Sequence, residues 1–282
     1  MATVHLVADS TCDLSSDEAA QRGLALVPLK VIIGEEVFAD GVDISPAELY
    51  ARMRAGAVTR TSQPTPGEFE AVFRSVGSDG EPIVCTTISA EMSGTYQSAV
   101  AARQALPDLD IRVIDTRTAA IGHRLVVDAV AAAAASGAGP DELESIVAGI
   151  RSTQRLVFTV ESLEYLRRGG RIGGARALLG SVLSIKPVLE VRDGTVEPLD
   201  RVRTFARAVD RVLDELQTSV SSWGGQATAM VAHADNLEAG TAVARRASEA
   251  VGHEVGLMDV GPVIGCHGGP GAIGLAFRQL TA

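Results

Sequence analysis

Hydroxyl side chains gather where predicted strands end and predicted helices begin. The segment TSQP supplies Thr61 and Ser62, and the segment SAEMSGT supplies Ser93 and Thr95. The first backbone N–H groups of a helix lack intrahelical partners and favour anions. These hydroxyls therefore predict hydrogen bonds to a carboxylate or phosphate group. The structural alternative is that Ser93 and Thr65 only cap their helices.

Ser93 also has the chemistry of a nucleophile, which needs a neighbouring base. Of the five histidines, His267 lies in the most suggestive segment, GPVIGCHGGPG. The residues around Ser93, EMSGT, lack the GxSxG pattern that places a serine in an exposed, strained turn. A hydrolase or acyl transferase that uses Ser93 and His267 is therefore the alternative to a binding site.

The segment around His267 is unusually rich in glycine. Five glycines in eleven residues allow the backbone to approach a ligand closely, so we expect a loop that curls round something. The segment lacks the GxxxxGK[ST] pattern of a phosphate-binding loop. Two interpretations of His267 stay open, a ligand contact and a structural hydrogen-bonding group.

Arginines cluster in two other segments. YLRRGGRIGGAR and RVRT together contain Arg167, Arg168, Arg171, Arg176, Arg201 and Arg203. The formal net charge of the chain is −10, so these local clusters stand out. They predict either a solvated face or a surface that recognises an anionic group or an acidic partner, since arginine binds carboxylate and phosphate with two parallel hydrogen bonds.

The composition excludes several classes of protein. A charge of −10 argues against nucleic-acid binding. Three cysteines without CxxC spacing argue against a disulfide framework or a zinc site. No segment has the length and hydropathy of a membrane span or leader, so we expect a protein of the reducing cytoplasm. Aromatic residues make up 4%, so the cores must be aliphatic.

Residues 1–154 are predicted to form one α/β domain. Apolar strand-like runs alternate with helical patterns, which indicates a parallel sheet with helices on both faces. Two helices begin with a capping residue followed by proline, at Ser45 and at Thr65. Glu48 and Glu68 lie where they would complete the capping boxes.

Residues 155–282 are predicted to form a second α/β domain. The Asp193-Gly194 pair between alternating segments predicts a β-hairpin, and a hairpin among helices indicates a mixed sheet. We expect a further helix over residues 175–183 and a glycine-rich loop over residues 261–271, followed by a last strand.

Taken in order, several segments resemble the DegV family over essentially the whole chain. They are VADSTCDL, TSQPTPGEF, TTISAEMSGTYQSA, VIDT, LEYLRRGGRI, IKPVLEV with RVRT, HADN, and GPVIGCHGGPGAIGLAF. Each is weak alone, and together they are specific. The family includes the fatty-acid-binding subunits (FakB) of bacterial fatty acid kinase.

The resemblance implies two domains that enclose one long-chain fatty acid, such as palmitate or oleate, between them. It assigns the carboxylate to Thr61 and Ser93. It associates His267, Arg203 and Arg171 with carboxylate or acyl-phosphate handling and with docking of a kinase subunit.

The resemblance also implies a carrier rather than an enzyme. Such a protein takes a fatty acid from a membrane surface, presents the carboxylate to a separate ATP-dependent kinase, and keeps the acyl phosphate. It needs no cofactor or metal. Folds related to this family suggest a second alternative, a sugar-like ligand that meets a phosphotransfer partner.

Overall fold

The computed structural model describes residues 4–179 and 185–280. Within these ranges the strands are β1 (His5–Asp9), β2 (Leu24–Val27), β3 (Lys30–Ile33), β4 (Glu36–Ala39), β5 (Thr59–Ser62), β6 (Ile83–Thr87), β7 (Ile111–Asp115), β8 (Arg155–Thr159), β9 (Lys186–Arg192), β10 (Thr195–Val202), β11 (Ala227–His233), β12 (Gly256–Asp259) and β13 (Ile273–Gln279).

The helices lie between these strands. They are α1 (Ser16–Gln21), α2 (Pro46–Arg54), α3 (Pro66–Val76), α4 (Thr95–Gln104), α5 (Ala120–Ala135), α6 (Pro140–Thr153), α7 (Glu164–Arg168), α8 (Phe205–Ser222), α9 (Leu237–Val251) and α10 (Pro262–Gly268), with short 3-10 helices at Ser10–Cys12, Gly77–Asp79 and Gly173–Leu178.

The predicted parallel sheet is confirmed. Four strands pair in the order β2-β1-β6-β7, and each pairing is parallel. One face packs against α1, α5 and α6, and the other packs against α3 and α4. Because both faces are covered, β6 is buried along its whole length, including its two threonines.

The predicted mixed sheet is also confirmed. Six strands pair in the order β10-β9-β8-β13-β11-β12, and β11 with β12 is the parallel pairing among them. Its strands all follow Gln154 in the chain, and α8 and α9 cover one face. The predicted Asp193-Gly194 turn joins β9 to β10.

A third sheet was not predicted. The antiparallel strands β4, β3 and β5 pair in that order, with Val31 opposite Thr61. The four residues of β5, TRTS, have no apolar member, so their sequence lacks the hydrophobic pattern of a strand. Pairing with β3 creates this strand and fixes the position of Thr61.

The two predicted helix caps differ in detail. Thr65 and Glu68 form a complete capping box at the start of α3. At the start of α2, Ser45 accepts a hydrogen bond from the Glu48 N–H. The Glu48 carboxylate instead pairs with Arg52, so this capping box was predicted only half correctly.

Two predictions for the second half need correction. The segment that begins at Gly261 is not a loop throughout, because α10 occupies Pro262–Gly268 with proline at its first position. The predicted helix over residues 175–183 is in part a 3-10 helix that ends at Leu178, and residues 180–184 lie outside the described residues.

Among the described residues, none of the helices combines the length and the hydropathy needed to cross a bilayer.

Candidate functional site

A mostly apolar cavity is lined by residues from both halves of the chain. Its walls include Leu29, Ile88 and Ile121 from the first half and Phe158, Val196 and Val263 from the second. Four polar side chains line the same cavity: Thr61, Ser93, Arg171 and His267. The structure therefore brings together four of the five site residues expected from sequence.

Thr61 and His267 form the central hydrogen bond of this polar group. The Oγ1 atom of Thr61 on β5 lies 2.8 Å from Nε2 of His267 on α10. The two residues are 206 positions apart, so the contact depends on the packing of α10 against the sheet of β4, β3 and β5. This packing gives the hydroxyl and the imidazole fixed positions in the cavity wall.

His267 is neutral at neutral pH. Burial, with a smaller contribution from the nearby positive charge of Arg171, lowers its pKa to about 4. Its Nδ1 atom is buried and has no hydrogen-bond partner among the described residues. The imidazole is therefore a hydrogen-bonding group rather than a cation.

We predict that His267 weakens the fold at acidic pH. Its pKa is 6.5 when unperturbed and about 4 in the folded state, so unfolding takes up a proton between these values. The stabilisation is complete above pH 6.5 and is lost as the pH falls; at pH 5 the loss is about 2 kcal/mol. Denaturant titrations of the wild type and His267→Gln at pH 7 and pH 5 measure it.

The comparison of the two proteins isolates His267 from other titrating groups. Asp40 acts in the opposite direction, because burial raises its pKa to about 6 and its ionisation opposes folding. That effect is common to both proteins. Equal losses of stability in the wild type and in His267→Gln would show that His267 does not titrate in this way.

Gly169 leaves room for the His267 ring. A Cβ atom at position 169 would lie 2.1 Å from Nδ1 of His267. The backbone of Gly169 is helical (φ −73°, ψ −12°), so alanine suits the backbone and only the ring excludes it. Glycine here is required by a close approach and not by backbone conformation.

We predict that Gly169→Ala lowers the free energy of unfolding by about 1–3 kcal/mol through this clash. The loss should largely disappear in a His267→Ala background, and denaturant titration of the four proteins measures the coupling. Gly149→Ala in α6 is the matched control, since a Cβ there meets nothing within 4 Å and alanine favours helix. Equal losses in both backgrounds would exclude the clash as the cause.

Ser93 is not the N-cap of α4. Gly94 occupies that position without a side-chain cap, and the helix begins at Thr95. The Oγ of Ser93 lies 2.8 Å from Oγ1 of Thr95 and accepts a hydrogen bond from the Thr95 N–H. Thr65, the other residue considered as a cap, does cap its helix. Ser93 is thus held at the start of α4 while it lines the cavity.

Arg171 links the segment that carries Ser93 to the segment that follows α7. Its Nε donates to the carbonyl of Met92, which precedes Ser93, and its Nη1 donates to the carbonyl of Gly169. The guanidinium also lines the cavity. It therefore places a positive charge beside the hydroxyls and holds the turn that carries Ser93.

Arg203 is not placed with the other expected site residues. It is exposed, follows the end of β10, and does not belong to the residues that line the cavity. Arg167 and Arg168 form exposed ion pairs with Glu164. Ser62, the remaining hydroxyl of the TSQP segment, is exposed and donates to the carbonyl of Gln63.

The geometry does not favour a Ser93–His267 hydrolase. The Nε2 of His267 bonds Thr61 rather than Ser93, and no described group bonds its Nδ1 to orient it as a base. The three cysteines are buried free thiols, and the described residues hold no cluster of His, Cys, Asp or Glu that could bind a metal ion.

Comparisons with known proteins agree with this architecture. The model of the DegV family matches residues 3–280. A DegV domain-containing protein of Deinococcus radiodurans is 35% identical over 281 residues, which is 99% of this chain and 100% of the relative.

Two solved structures are similar along their whole length. A DegV family protein from Thermus thermophilus, described for its fatty acid binding, has 32% identity and a TM-score of 0.93, with 99% of this chain and 100% of that chain covered. A stearic acid-binding protein from Eubacterium ventriosum has 29% identity and a TM-score of 0.91, with 98% of each chain covered.

Proposed function

This chain belongs to the DegV family, and we propose that it binds one long-chain fatty acid, with its tail in the cavity and its carboxylate at the polar group of Thr61, Ser93 and His267. The observation that carries this proposal is an apolar cavity whose few polar side chains include these three. Fatty acid binding by the Thermus thermophilus and Eubacterium ventriosum proteins supports it.

The apolar wall supplies most of the binding free energy. Each buried CH₂ group contributes about 0.8 kcal/mol, so a tail of roughly 16 to 18 carbons is strongly favoured even after the entropic cost of ordering it. Palmitate and oleate have tails of this length. The aliphatic composition of the wall suits a flexible alkyl chain.

The carboxylate needs hydrogen-bond donors to offset its desolvation. We assign the Nε2–H tautomer to His267, since the alternative would bury an unpartnered N–H at Nδ1. Thr61 then accepts from His267, and its own hydroxyl proton is free to donate to the carboxylate. Ser93 donates a second hydrogen bond, and Arg171 supplies positive charge nearby.

Two measurements test the binding proposal. The intact mass of the native protein should exceed its denatured mass by one fatty acid, and the organic extract should contain that acid. The stripped protein should bind stearate at least about ten-fold more tightly than stearyl alcohol, because only the acid uses the carboxylate site. A polar ligand in the extract, or equal affinity for the two lipids, would contradict the proposal.

We further propose that the protein is a carrier and not an enzyme by itself. A second, polar cleft lies beside Thr61 and His267 and is lined by Arg60, Arg168 and Arg171. Its positive charge suits an acidic partner or a phosphoryl group. A separate kinase would transfer the γ-phosphoryl group of ATP to a carboxylate oxygen, with ADP leaving, and the acyl phosphate would stay bound.

The carrier role predicts a separation of two activities in Arg168→Ala. Stearate affinity should be unchanged, since Arg168 does not line the cavity, whereas acyl-phosphate formation by a fatty acid kinase should fall about ten-fold. Arg245→Ala is the matched control, because Arg245 forms a similar exposed ion pair four residues from its partner on α9. Equal kinase rates in both variants would reject this docking surface.

On this proposal the protein needs no cofactor, meets membrane surfaces transiently, and works in the cytoplasm. The domain boundary at residue 154 and a kinase-related role for Arg203 likewise stay predictions.

A further inference from the structure

The segment Asp9–Asp13, DSTCD, lies at the end of β1 and does not line the apolar cavity. Asp9, Ser10 and Thr11 are nevertheless buried, with at most 6% of each residue exposed. Buried polar groups persist where hydrogen bonds satisfy them, so the partners of this segment are informative. The hydrogen bonds of Asp9 and those of Ser10 each lead to a different part of the proposed carboxylate site.

The first direction runs through Asp9 to the turn that carries Ser93. The Oδ2 of Asp9 accepts a 2.6 Å hydrogen bond from the Ile88 N–H, the first residue after β6. Its Oδ1 accepts from the N–H and the hydroxyl of Thr11. Ile88 and Ser93 both line the cavity. The Asp9 carboxylate therefore fixes the start of this turn.

The second direction runs through Ser10 to the helix that carries His267. The Ser10 hydroxyl donates to Oδ2 of Asp40 at 2.6 Å and accepts from the Leu29 N–H at 3.0 Å. The Oδ1 of Asp40 accepts a 3.0 Å hydrogen bond from the Val263 N–H in the first turn of α10. Asp40 and Val263 are 223 residues apart, so this contact joins the two halves of the chain.

This contact replaces a missing helix cap. The N-cap of α10 is Gly261, which has no side chain, and Pro262 has no N–H. Val263 thus supplies the first free N–H of α10, and the Asp40 carboxylate satisfies it from outside the helix. Asp13 packs against the same helix start, since a Cβ at Gly261 would lie 2.2 Å from its Oδ1.

We infer that Asp9 and Ser10 are positioning residues, which act through Ile88 and through Asp40 to hold Ser93 and His267 at the spacing that grips a carboxylate. The inference rests on the proposed fatty acid binding. A displaced helix α10 would carry the His267 imidazole away from Thr61 and misplace the hydroxyl donors. Val263 on the same helix also lines the apolar wall, but apolar contacts are non-directional whereas hydrogen bonds weaken steeply with misalignment, so the carboxylate contacts should suffer more than the tail contacts.

The test is Ser10→Ala, measured with two lipids that share one tail. Stearate affinity should fall about ten-fold or more, while stearyl alcohol affinity should change less than about two-fold. Ser248→Ala is the matched control: its hydroxyl also donates once, to Ala244, and accepts a backbone N–H, from Val255, but it lies on α9 away from the cavity. It should alter neither affinity.

A second pair of variants covers the case in which Ser10→Ala does not fold. Asp40→Asn keeps an oxygen for the Val263 N–H and offers an N–H to Ser10, so the preference for stearate should survive. Asp40→Ala removes both contacts and should abolish that preference.

The outcomes separate the inference from the function on which it rests. If both lipids weaken together in Ser10→Ala, the segment only stabilises the fold. If the preference for the acid survives in both Ser10→Ala and Asp40→Ala, the segment positions nothing. If the wild type itself shows no preference for stearate over stearyl alcohol, the proposed carboxylate site is wrong.

Discussion

Thr61→Val together with Ser93→Ala is expected to weaken stearate binding about 100-fold or more. Each substitution removes one hydroxyl donor to a buried carboxylate, and a hydrogen bond to a charged group contributes about 1.5–3 kcal/mol. The tail contacts are unchanged, so stearyl alcohol should bind nearly as well as before. Calorimetric titration of the stripped protein with each lipid measures both affinities.

The controls for this double variant address stability. Thr61→Val also leaves Nε2 of His267 without its partner, so the free energy of unfolding must be measured beside the affinities. Ser136→Ala with Ser145→Ala removes two hydroxyls that donate to helix carbonyls elsewhere, and binding should be unaffected. Unchanged stearate affinity in a folded Thr61→Val/Ser93→Ala protein would reject the assignment of the carboxylate.

Gly274→Val is expected to weaken stearate binding about 100-fold by shortening the space for the tail. Gly274 on β13 lines the cavity, and a Cβ there would face Ile121 and Phe158 at 3.4 and 3.8 Å. A loss of about 100-fold corresponds to the exclusion of about three CH₂ groups of a long tail by the added methyl groups, at about 0.8 kcal/mol each. Valine suits the strand, so the fold should tolerate it.

The chain length of the ligand is the internal control for this variant. Saturated acids short enough to end before Gly274 should bind the wild type and the variant equally, and longer acids should lose affinity progressively. A series of acids titrated into both proteins shows where the two curves separate. If short and long acids lose affinity to the same extent, the tail does not pass Gly274.

Local sequence patterns were enough to predict most of the framework. The parallel strands are short apolar runs, and the Asp193-Gly194 turn specifies its hairpin. Thr65, Pro66 and Glu68 together mark the start of α3. In each case the signal lies within a few residues of the element that it determines, so it can be read without the rest of the chain.

The elements that could not be predicted from the sequence depend on contacts between distant segments. The strand β5 exists because β3 pairs with it, and α10 receives its cap from Asp40. Neither relationship leaves a local pattern. The apolar lining has none either, because Leu29, Ile121 and Val263 look like ordinary core residues. Local sequence marked several hydroxyls and His267 as candidates, and the resemblance to the DegV family singled out Thr61, Ser93 and His267; the partners that hold them were not predicted.

The apolar cavity, whose wall is shared by both halves of the chain, has a consequence for the amount of protein in a cell. On the proposed function, a fatty acid there would contact apolar residues of both halves, and a molecule that binds only the folded state shifts the folding equilibrium towards it. Empty protein is then the form that opens more often and meets proteases first. The lifetime of the protein, and therefore its amount in the cell, would then increase with the supply of free lipid.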